Sequence, residues 1–381
     1  MKYFIIAGEA SGDLHASGLL KALKKKDHEA EFMGLGGDMM HDEGCTLVKH
    51  YRDMAYMGFI AVITHLGKIL QNMKDCKKAI VEFKPDIVIL VDYPSFNLQI
   101  AEFVKKNLPG TPVHYYIAPK LWAWKEYRLK NIKKYVDRVY SILPFEVEWF
   151  GKRGYKVDYV GNPCADAVYN RPDQDETFDS FVTSQYLDNK PIIALLAGSR
   201  VQEIRSSLPK MLEATKKIDG YQLVIAGAPS IEESLYDKII EESGAKAMVV
   251  HDATYRLLTQ AKAAVVCSGT ATLETALVGT PQTVVYHIGG GKLVHDFLRL
   301  FIHVDQVSLV NLIADRKMVK ELIIEDFTPE KVESEVRRLL TDEAQQEMRA
   351  DYEELRKIVG DAGVGDRAAA MIIEAIKKII P

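Results

Sequence analysis

Short apolar runs alternate along most of the chain with stretches in which hydrophobic residues recur at helical spacing. Strands that alternate with helices are typical of a parallel sheet covered on both faces. The apolar runs predict strands at Tyr3–Ala7, Glu31–Gly34, Ile87–Val91, Val113–Ile117, Val139–Leu143, Val157–Val160, Ile192–Leu196, Tyr221–Ala226, Ala247–Val250, Ala263–Cys267 and Thr283–His287. The pattern therefore predicts an α/β protein with doubly wound, Rossmann-like sheets.

A polar, acidic stretch at residues 171–176 is typical of a linker and divides the two series of strands. We expect a first domain over residues 1–165 and a second over 166–360. Glycines at 360, 363 and 365 predict a flexible joint before a last helix over about 361–381. Its isoleucines, Ile372, Ile373, Ile376 and Ile380, share one face, which we expect to pack on the first domain or on a partner subunit.

The turn after Ala263–Cys267 is the most informative stretch for chemistry. Ser268, Gly269 and Thr270 lead into a predicted helix that Gly279 and Pro281 end. A helix N-terminus offers free backbone N–H groups and a positive dipole end, which suit a phosphate. Glu274 lies one turn further on, where its carboxylate could accept hydrogen bonds from ribose hydroxyls. The alternative is an ordinary capped helix.

A second turn of this kind follows Ile192–Leu196, where Gly198-Ser199-Arg200 precedes a helix that we expect to begin near Glu203. Its backbone N–H groups and the Arg200 guanidinium could bind a diphosphate and stabilise charge on a leaving group. Two such turns in one domain favour a sugar-nucleotide site more than either does alone.

In the first domain, Gly8 and Glu9 follow the first strand and precede a helix that we expect to bury Leu14, Leu19, Leu20 and Leu23. The turn is not G-x-G-x-x-G, so a dinucleotide site has little support. Asp13 is predicted to cap the N-terminus of its own helix.

Asp92 follows the buried run Ile87–Val91 and precedes a loop that contains Pro94. Partial burial there would raise its pKa and make it a better general base. The alternative is an aspartate that stabilises its loop by an Asx-turn.

An apolar stripe at helical spacing runs from Phe59 to Met73. It indicates either a core-facing helix or a surface for a membrane or acyl chain, with lysines nearby for anionic headgroups. The residues that would contact lipid are Phe59, Val62, Ile63, Leu66, Ile69 and Leu70. A basic helix predicted over Lys120–Arg138, with aromatic flanks, suits an anionic lipid surface better than nucleic acid, although a merely solvated face is also possible.

Charge and composition exclude several classes of protein. The formal net charge of −4 excludes a global basic field for nucleic acid. The four cysteines lie far apart, which indicates small core residues in a reducing compartment. The N-terminal residues indicate a first strand rather than a signal peptide, and no uncharged stretch suggests a transmembrane helix.

Several motifs together resemble the lipid-A-disaccharide synthases, bacterial glycosyltransferases of the GT-B architecture, over nearly the full length. The matching segments are 7–13, 91–94, 117–124, 143–146, 198–200, 268–274 and 307–311. Ala197 and Val310 stand where that family often has proline. The resemblance implies two Rossmann-like domains facing a cleft.

The resemblance also implies the reaction, in which UDP-2,3-diacylglucosamine and 2,3-diacylglucosamine 1-phosphate (lipid X) give a β-1,6-linked disaccharide 1-phosphate and UDP. It implies inversion without a metal or other cofactor, and peripheral association with the cytoplasmic face of the inner membrane. A homodimer with exchanged C-terminal segments is expected. Nucleic acid is not an expected partner.

Within this framework Asp92 is assigned as the base, with Glu9 as rival or positioning partner. The residues expected at the nucleotide sugar are Ser199, Arg200, Ser268, Gly269, Thr270, Thr272, Glu274 and Asn311. Two alternatives stay open: another UDP-sugar enzyme such as a UDP-N-acetylglucosamine 2-epimerase, and a non-catalytic nucleotide-binding scaffold. If Asp92 were dispensable, Glu9 or a histidine such as His114 would take the role of base.

Overall fold

The computed structural model describes residues 1–53, 66–286 and 306–378, with no side-chain description for Leu66. The chain forms two compact units, one of residues 1–163 with 363–381 and one of residues 164–362. All strand pairs in the described parts are parallel. The predicted α/β class with two parallel sheets is confirmed.

The first unit contains a seven-stranded sheet in the order β3-β2-β1-β4-β5-β6-β7. Its strands are β1 (Lys2–Ala7), β2 (Glu31–Gly36), β3 (Thr46–His50), β4 (Ile87–Val91), β5 (Val113–Tyr116), β6 (Arg138–Ser141) and β7 (Asp158–Tyr159). Its first helices are α1 (Ala10–Lys26), α2 (Asp38–Asp42), α3 (Leu66–Phe83), α4 (Pro94–Asn107), α5 (Leu129–Tyr135) and α6 (Phe145–Gly151), with 3-10 turns at Tyr51–Asp53 and Glu126–Arg128.

The second unit contains a six-stranded sheet in the order β10-β9-β8-β11-β12-β13. Its strands are β8 (Ile192–Leu196), β9 (Gln222–Gly227), β10 (Ala247–His251), β11 (Ala261–Cys267), β12 (Gln282–Tyr286) and β13 (Lys320–Ile323). Its helices are α7 (Pro163–Tyr169, starting at the boundary), α8 (Phe178–Ser184), α9 (Val201–Thr215), α10 (Glu233–Ser243), α11 (Thr254–Gln260), α12 (Thr270–Val278), α13 (Leu309–Ala314), α14 (Pro329–Leu339) and α15 (Asp342–Val359).

Strand β1 explains why the first sheet needs helices on both faces. Phe4 and Ile6 are fully buried in one hydrophobic cluster, whereas Tyr3 and Ile5 are fully buried in another. Alternate residues of a strand point to opposite faces, so each face must be covered by its own helices.

The last helix, α16 (Val364–Lys377), packs against α1 in the first unit. Ile372, Ile373 and Ile376 are buried in the cluster that also holds Leu19. The backbones come close, since a Cβ on Gly365 would lie 2.9 Å from the Gly18 carbonyl oxygen. Arg367 adds a hydrogen bond from Nε to the Val160 carbonyl oxygen at 2.8 Å.

Two edge strands, β3 and β13, were absent from the prediction. An edge strand is covered on fewer sides and needs no continuous apolar run. Thr46–His50 is only partly buried along its length, and Lys320–Ile323 begins with two charged residues. Both therefore lack the signal by which the inner strands were predicted.

Three local predictions were wrong. Leu14 is 52% exposed rather than buried. Asp13 caps a different helix, because its carboxylate accepts hydrogen bonds from the backbone N–H groups of Gly37, Met39 and Met40 at the start of α2. The basic segment from Lys120 is not one helix, since α5 covers only Leu129–Tyr135 and Arg138 begins β6.

Candidate active site

Each sheet has a point where the strand order reverses, and these points locate the candidate residues. In the first sheet the reversal lies between β1 and β4, and in the second between β8 and β11. Open α/β sheets bind ligands at such switch points, beyond the carboxyl ends of the strands. Glu9 and Asp92 follow β1 and β4, and the two predicted anion-binding turns follow β8 and β11.

Asp92 and Glu9 are carried on neighbouring strands. Ala7 pairs with Val91, so the loops after β1 and β4 leave the sheet side by side. Gly8 lies against the ring of Tyr93, the residue after Asp92, and the charge of Glu9 contributes to the raised pKa of Tyr93 after the larger effect of burial. The structure thus brings the two predicted carboxylates to one end of the sheet.

The backbone at Asp92 adopts an unusual left-handed conformation, which hydrogen bonds from neighbouring side chains stabilise. Asp92 and Tyr93 have φ values of +43° and +47°, a conformation that costs free energy for residues other than glycine. The Asp92 carbonyl oxygen accepts a 2.7 Å hydrogen bond from Nδ2 of Asn97 and another from the Tyr115 hydroxyl. These partners hold the turn in place. The strand pattern placed Tyr115 in a strand but did not predict either contact with Asp92.

Burial raises the pKa of the Asp92 carboxyl, while the Lys120 ammonium and a backbone hydrogen bond from Tyr93 oppose the rise. A carboxylate whose pKa is raised by partial burial is a stronger base and is better suited to accept a proton. His114 does not share this environment. It is fully buried on β5, where burial lowers its pKa to about 4 and its Nδ1 lies 3.1 Å from the Tyr140 hydroxyl.

In the second unit, the turn at Ser199 and Arg200 already holds an anion. Oε2 of Glu203 accepts hydrogen bonds from the backbone N–H groups of Ser199 (3.1 Å) and Arg200 (3.3 Å). Its Oε1 accepts a 3.0 Å hydrogen bond from the Arg200 guanidinium. The helix begins at Val201, slightly earlier than predicted. The turn therefore has the donors that the sequence suggested, and the protein's own carboxylate occupies them.

In the turn after β11, some residues are exposed and could bind a ligand, and others form hydrogen bonds within the protein. Gly269 and Thr270 are exposed at the start of α12, and the first-turn N–H groups of a helix have no acceptor within it. Ser268 uses its backbone N–H on the Val285 carbonyl oxygen and its hydroxyl on that of Val307. Ser268 therefore shapes the turn more than it offers hydrogen-bond donors.

Thr272 and Asn311, which the sequence suggested as ligand contacts, are buried and bonded internally. The Thr272 hydroxyl donates to the Gly269 carbonyl oxygen at 2.8 Å. Asn311, 1% exposed, donates to Val319 and Glu321 and accepts from the backbone N–H groups of Met318 and Val319. Thr272 thus stabilises the turn after β11, and Asn311 stabilises the segment between α13 and β13.

Glu274 lies one turn into α12, and the Tyr255 hydroxyl donates a hydrogen bond to its carboxylate. Burial raises the pKa of Glu274, and the hydrogen bond from Tyr255 partly offsets this. Tyr255, on α11, was not identified from the sequence because no spacing rule links it to the turn.

The predicted lipid-contacting stripe is described only in part. Phe59, Val62 and Ile63 lie outside the described residues, and the side chain of Leu66 is not described. On α3, Ile69 is half-buried, Leu70 is 56% exposed and Met73 is in the core. No helix in the described ranges is both long and apolar enough to cross a membrane.

Comparison of the sequence with known proteins finds similar sequences along nearly the whole chain. The family model described as lipid-A-disaccharide synthetase matches residues 3–373. The lipid-A-disaccharide synthase of Syntrophus aciditrophicus (strain SB) is 39% identical over 98% of this chain and 97% of its own length. That of Myxococcus xanthus (strain DK1622) is 37% identical with the same coverage of both chains.

Solved structures share the fold at low sequence identity. A putative UDP-N-acetylglucosamine 2-epimerase from Listeria monocytogenes aligns with a TM-score of 0.68 and 13% identity, over 100% of this chain and 97% of its own. The glycotransferase of kitacinnamycin aligns with a TM-score of 0.61 and 13% identity, over 100% and 99%. At this identity the likeness concerns the fold alone.

Proposed function

The chain belongs to the lipid-A-disaccharide synthase family, and we propose that its first unit supplies the catalytic base from Asp92 while its second unit holds the sugar-nucleotide donor. The protein is a glycosyltransferase with the GT-B architecture. The proposal is carried by one observation: both sheets bear their candidate residues at their switch points.

The reaction implied by the family resemblance transfers a diacylglucosamine unit from UDP to the 6-hydroxyl of lipid X. Inversion in one displacement requires a base for that hydroxyl and stabilisation of the charge on departing UDP. Asp92 removes the proton of the acceptor 6-hydroxyl while the oxygen of that hydroxyl bonds to C1 of the donor sugar. The bond between C1 and the UDP oxygen breaks, and its electron pair leaves with UDP. Glu9, on the neighbouring loop, orients the acceptor or is the rival base.

The donor diphosphate is bound by the Arg200 guanidinium and by the backbone N–H groups of Ser199, Gly269 and Thr270. Since the Glu203 carboxylate holds part of this set, the diphosphate must displace it. Glu274, held by Tyr255, accepts hydrogen bonds from the ribose. Ser268 and Thr272 support the turn after β11 from within, and Asn311 supports the segment between α13 and β13.

A lipid-facing surface on the first unit fits the substrates. Leu70 is exposed on α3 beside Ile69, and Trp124 and Tyr127 are exposed in the basic segment, where the Lys125 ammonium lies 4.4 Å from the Trp124 ring centroid. Exposed aromatic rings among lysines suit a bilayer interface with anionic headgroups. This surface supports peripheral association with the cytoplasmic face of the inner membrane.

Liposome flotation tests the surface with a matched pair on one helix. Leu70→Ser should reduce flotation with anionic vesicles, whereas Val81→Ser, also exposed on α3, should not. Equal flotation of both variants and the wild type would remove α3 from the membrane contact.

A homodimer with exchanged C-terminal helices is compatible with the packing of α16. In such a dimer α16 would make on the partner's α1 the contacts that it makes within this chain. Gly360 and Gly363, at φ of +79° and +101°, provide the joint. Sedimentation velocity at micromolar concentration distinguishes the dimer from a monomer.

Turnover of UDP-2,3-diacylglucosamine with lipid X, in the presence of EDTA, tests the activity. Release of UDP with a disaccharide 1-phosphate product supports the proposed reaction without a metal. UDP binding without that product would contradict it, and conversion of UDP-N-acetylglucosamine would then indicate the epimerase alternative.

A further inference from the structure

Glu146 is a buried carboxyl group that the proposed reaction does not use. It lies in the first turn of α6 and is 1% exposed. Oε1 accepts a 2.9 Å hydrogen bond from the indole Nε1 of Trp122, and Oε2 is hydrogen-bonded to the Ser141 hydroxyl. A carboxyl group buried to this degree needs such partners in either protonation state.

The partners around Ser141 can serve both states. The Ser141 hydroxyl also lies 2.9 Å from the Leu143 carbonyl oxygen. When Glu146 is ionised, Ser141 donates its proton to the carboxylate. When Glu146 is protonated, it donates to Ser141, which then donates to Leu143. The site can therefore hold or release a proton without leaving a carboxyl oxygen unpaired.

The neighbouring strand ends bring Glu146 into the electrostatic environment of Asp92. Strands β4, β5 and β6 are adjacent, with Val91 paired to Tyr116 and Tyr116 to Tyr140. Asp92 follows β4, Lys120 follows β5 and Glu146 follows β6. The Lys120 ammonium acts on both carboxyl groups, and the charge of Asp92 acts on Glu146.

We propose that Glu146 is a positioning residue for the transfer reaction, which holds Trp122 and the Lys120 segment beside Asp92 and, once ionised, makes Asp92 a stronger base. This inference rests on the assignment of Asp92 as the base. Glu146 transfers no proton in the reaction. The proton moves from the acceptor hydroxyl to Asp92, and a negative charge on Glu146 stabilises the protonated Asp92 that results.

The titration of Glu146 places this effect near neutral pH. Its pKa is raised to about 7, chiefly by burial and to a lesser degree by the charge of Asp92. The hydrogen bonds from Ser141 and Trp122 and the charge of Lys120 oppose this rise. Ionisation of Asp92 should raise turnover, and ionisation of Glu146 near pH 7 should give a second rise.

Tryptophan fluorescence against pH measures the Glu146 titration without turnover. The chain has three tryptophans, all described, and of these three Trp122 alone is hydrogen-bonded to Glu146. We expect an inflection near pH 7 in the wild type, its loss in Glu146→Gln, and its movement to lower pH in Asp92→Asn. An inflection that persists in Glu146→Gln, or stays in place in Asp92→Asn, would overturn the proposed coupling.

Kinetics then test the role in the reaction. In Glu146→Gln the second rise in kcat should disappear, which lowers kcat at pH 8 roughly three- to tenfold, while UDP affinity stays unchanged. In Trp122→Phe the second rise should move to higher pH, because a hydrogen bond that lowers the Glu146 pKa is lost. Trp149→Phe, with no bond to Glu146, is the matched control. Circular dichroism checks that each variant is folded.

The assignment of Asp92 as the base and the role of Glu146 can be disproved by different results. Loss of activity in Asp92→Asn together with a wild-type pH profile in Glu146→Gln would leave the base in place and overturn the role of Glu146. Wild-type turnover in Asp92→Asn would overturn the assignment of Asp92 and with it the kinetic role of Glu146.

Discussion

Gly8 lies directly against the ring of Tyr93, so that a Cβ on residue 8 would come within 2.3 Å of the ring carbon Cδ1. Because Tyr93 and Asp92 share one left-handed turn, a shift of the ring would also move the carboxylate. We expect Gly8→Ala to lower kcat at least tenfold, since misplacement of about 1 Å is costly to a positioned base, with UDP affinity unchanged. Steady-state kinetics and UDP titration calorimetry measure both quantities.

The matched control is Gly18→Ala, in α1, where an added Cβ meets nothing within 4 Å. Alanine is favoured over glycine in a helix by up to about 1 kcal/mol, so this variant should be slightly more stable and equally active. A Gly8→Ala enzyme as active as Gly18→Ala would show that the Tyr93 turn tolerates displacement.

Removing the proposed base should separate catalysis from binding. Asp92→Asn keeps the size of the side chain but cannot accept the hydroxyl proton, and we expect turnover to fall by roughly two to four decades. UDP affinity should stay near that of the wild type. Asp42→Asn, 81% exposed on α2, serves as control. Turnover near the wild-type rate in Asp92→Asn would move the role of base to Glu9.

Arg200→Ala should weaken UDP binding and turnover together, because its guanidinium is proposed to bind the diphosphate in the ground state and the departing UDP. Charge-assisted hydrogen bonds contribute about 1.5–3 kcal/mol each, which corresponds to a loss of roughly one to two decades in affinity. Arg205→Ala removes the same charge from an exposed position on the same helix and should change neither. Equal UDP affinities for the two variants would exclude the diphosphate contact.

The raised pKa of Glu146 also predicts an unusual dependence of stability on pH. A carboxyl group with a pKa of 4.5 when unfolded and about 7 when folded binds more protons in the folded state between those values. Its contribution to the free energy of unfolding therefore falls as pH rises from about 4.5 to 7, by up to roughly 3 kcal/mol. We expect the free energy of unfolding, measured with urea at pH 5 and pH 8, to lose this falling contribution in Glu146→Gln, so that its change with pH differs from that of the wild type in that direction. An identical change with pH would contradict the burial effect.

Patterning of apolar runs predicted the inner strands and the α/β class because those strands are buried on both faces. It could not predict β3 and β13, since edge strands such as Thr46–His50 do not need an apolar run. The family resemblance was confirmed by the family model and by the relatives. It was visible in the sequence because its motifs lie mostly at strand ends, where side chains serve chemistry rather than packing.

The supporting residues of the site could not be derived in the same way. Asn97 and Tyr115 hold Asp92 through its carbonyl oxygen, and Tyr255 holds Glu274, by contacts that depend on three-dimensional packing. The same holds for Asp13, whose carboxylate caps α2 although its own helix was the nearer candidate. Local rules identify which residue types can cap or bind, but the fold decides which partner lies within reach.

The return of α16 to α1 has a consequence for how the protein is made. The first unit's hydrophobic core includes Ile372 and Ile376, which emerge from the ribosome after the whole second unit. Until then Leu19 and its neighbours lack part of their cover, so the amino-terminal unit cannot complete its core during synthesis, whereas residues 164–362 can fold as a continuous segment. A nascent chain stalled before Val364 should therefore resist proteolysis in its second unit first, although that unit is synthesised later.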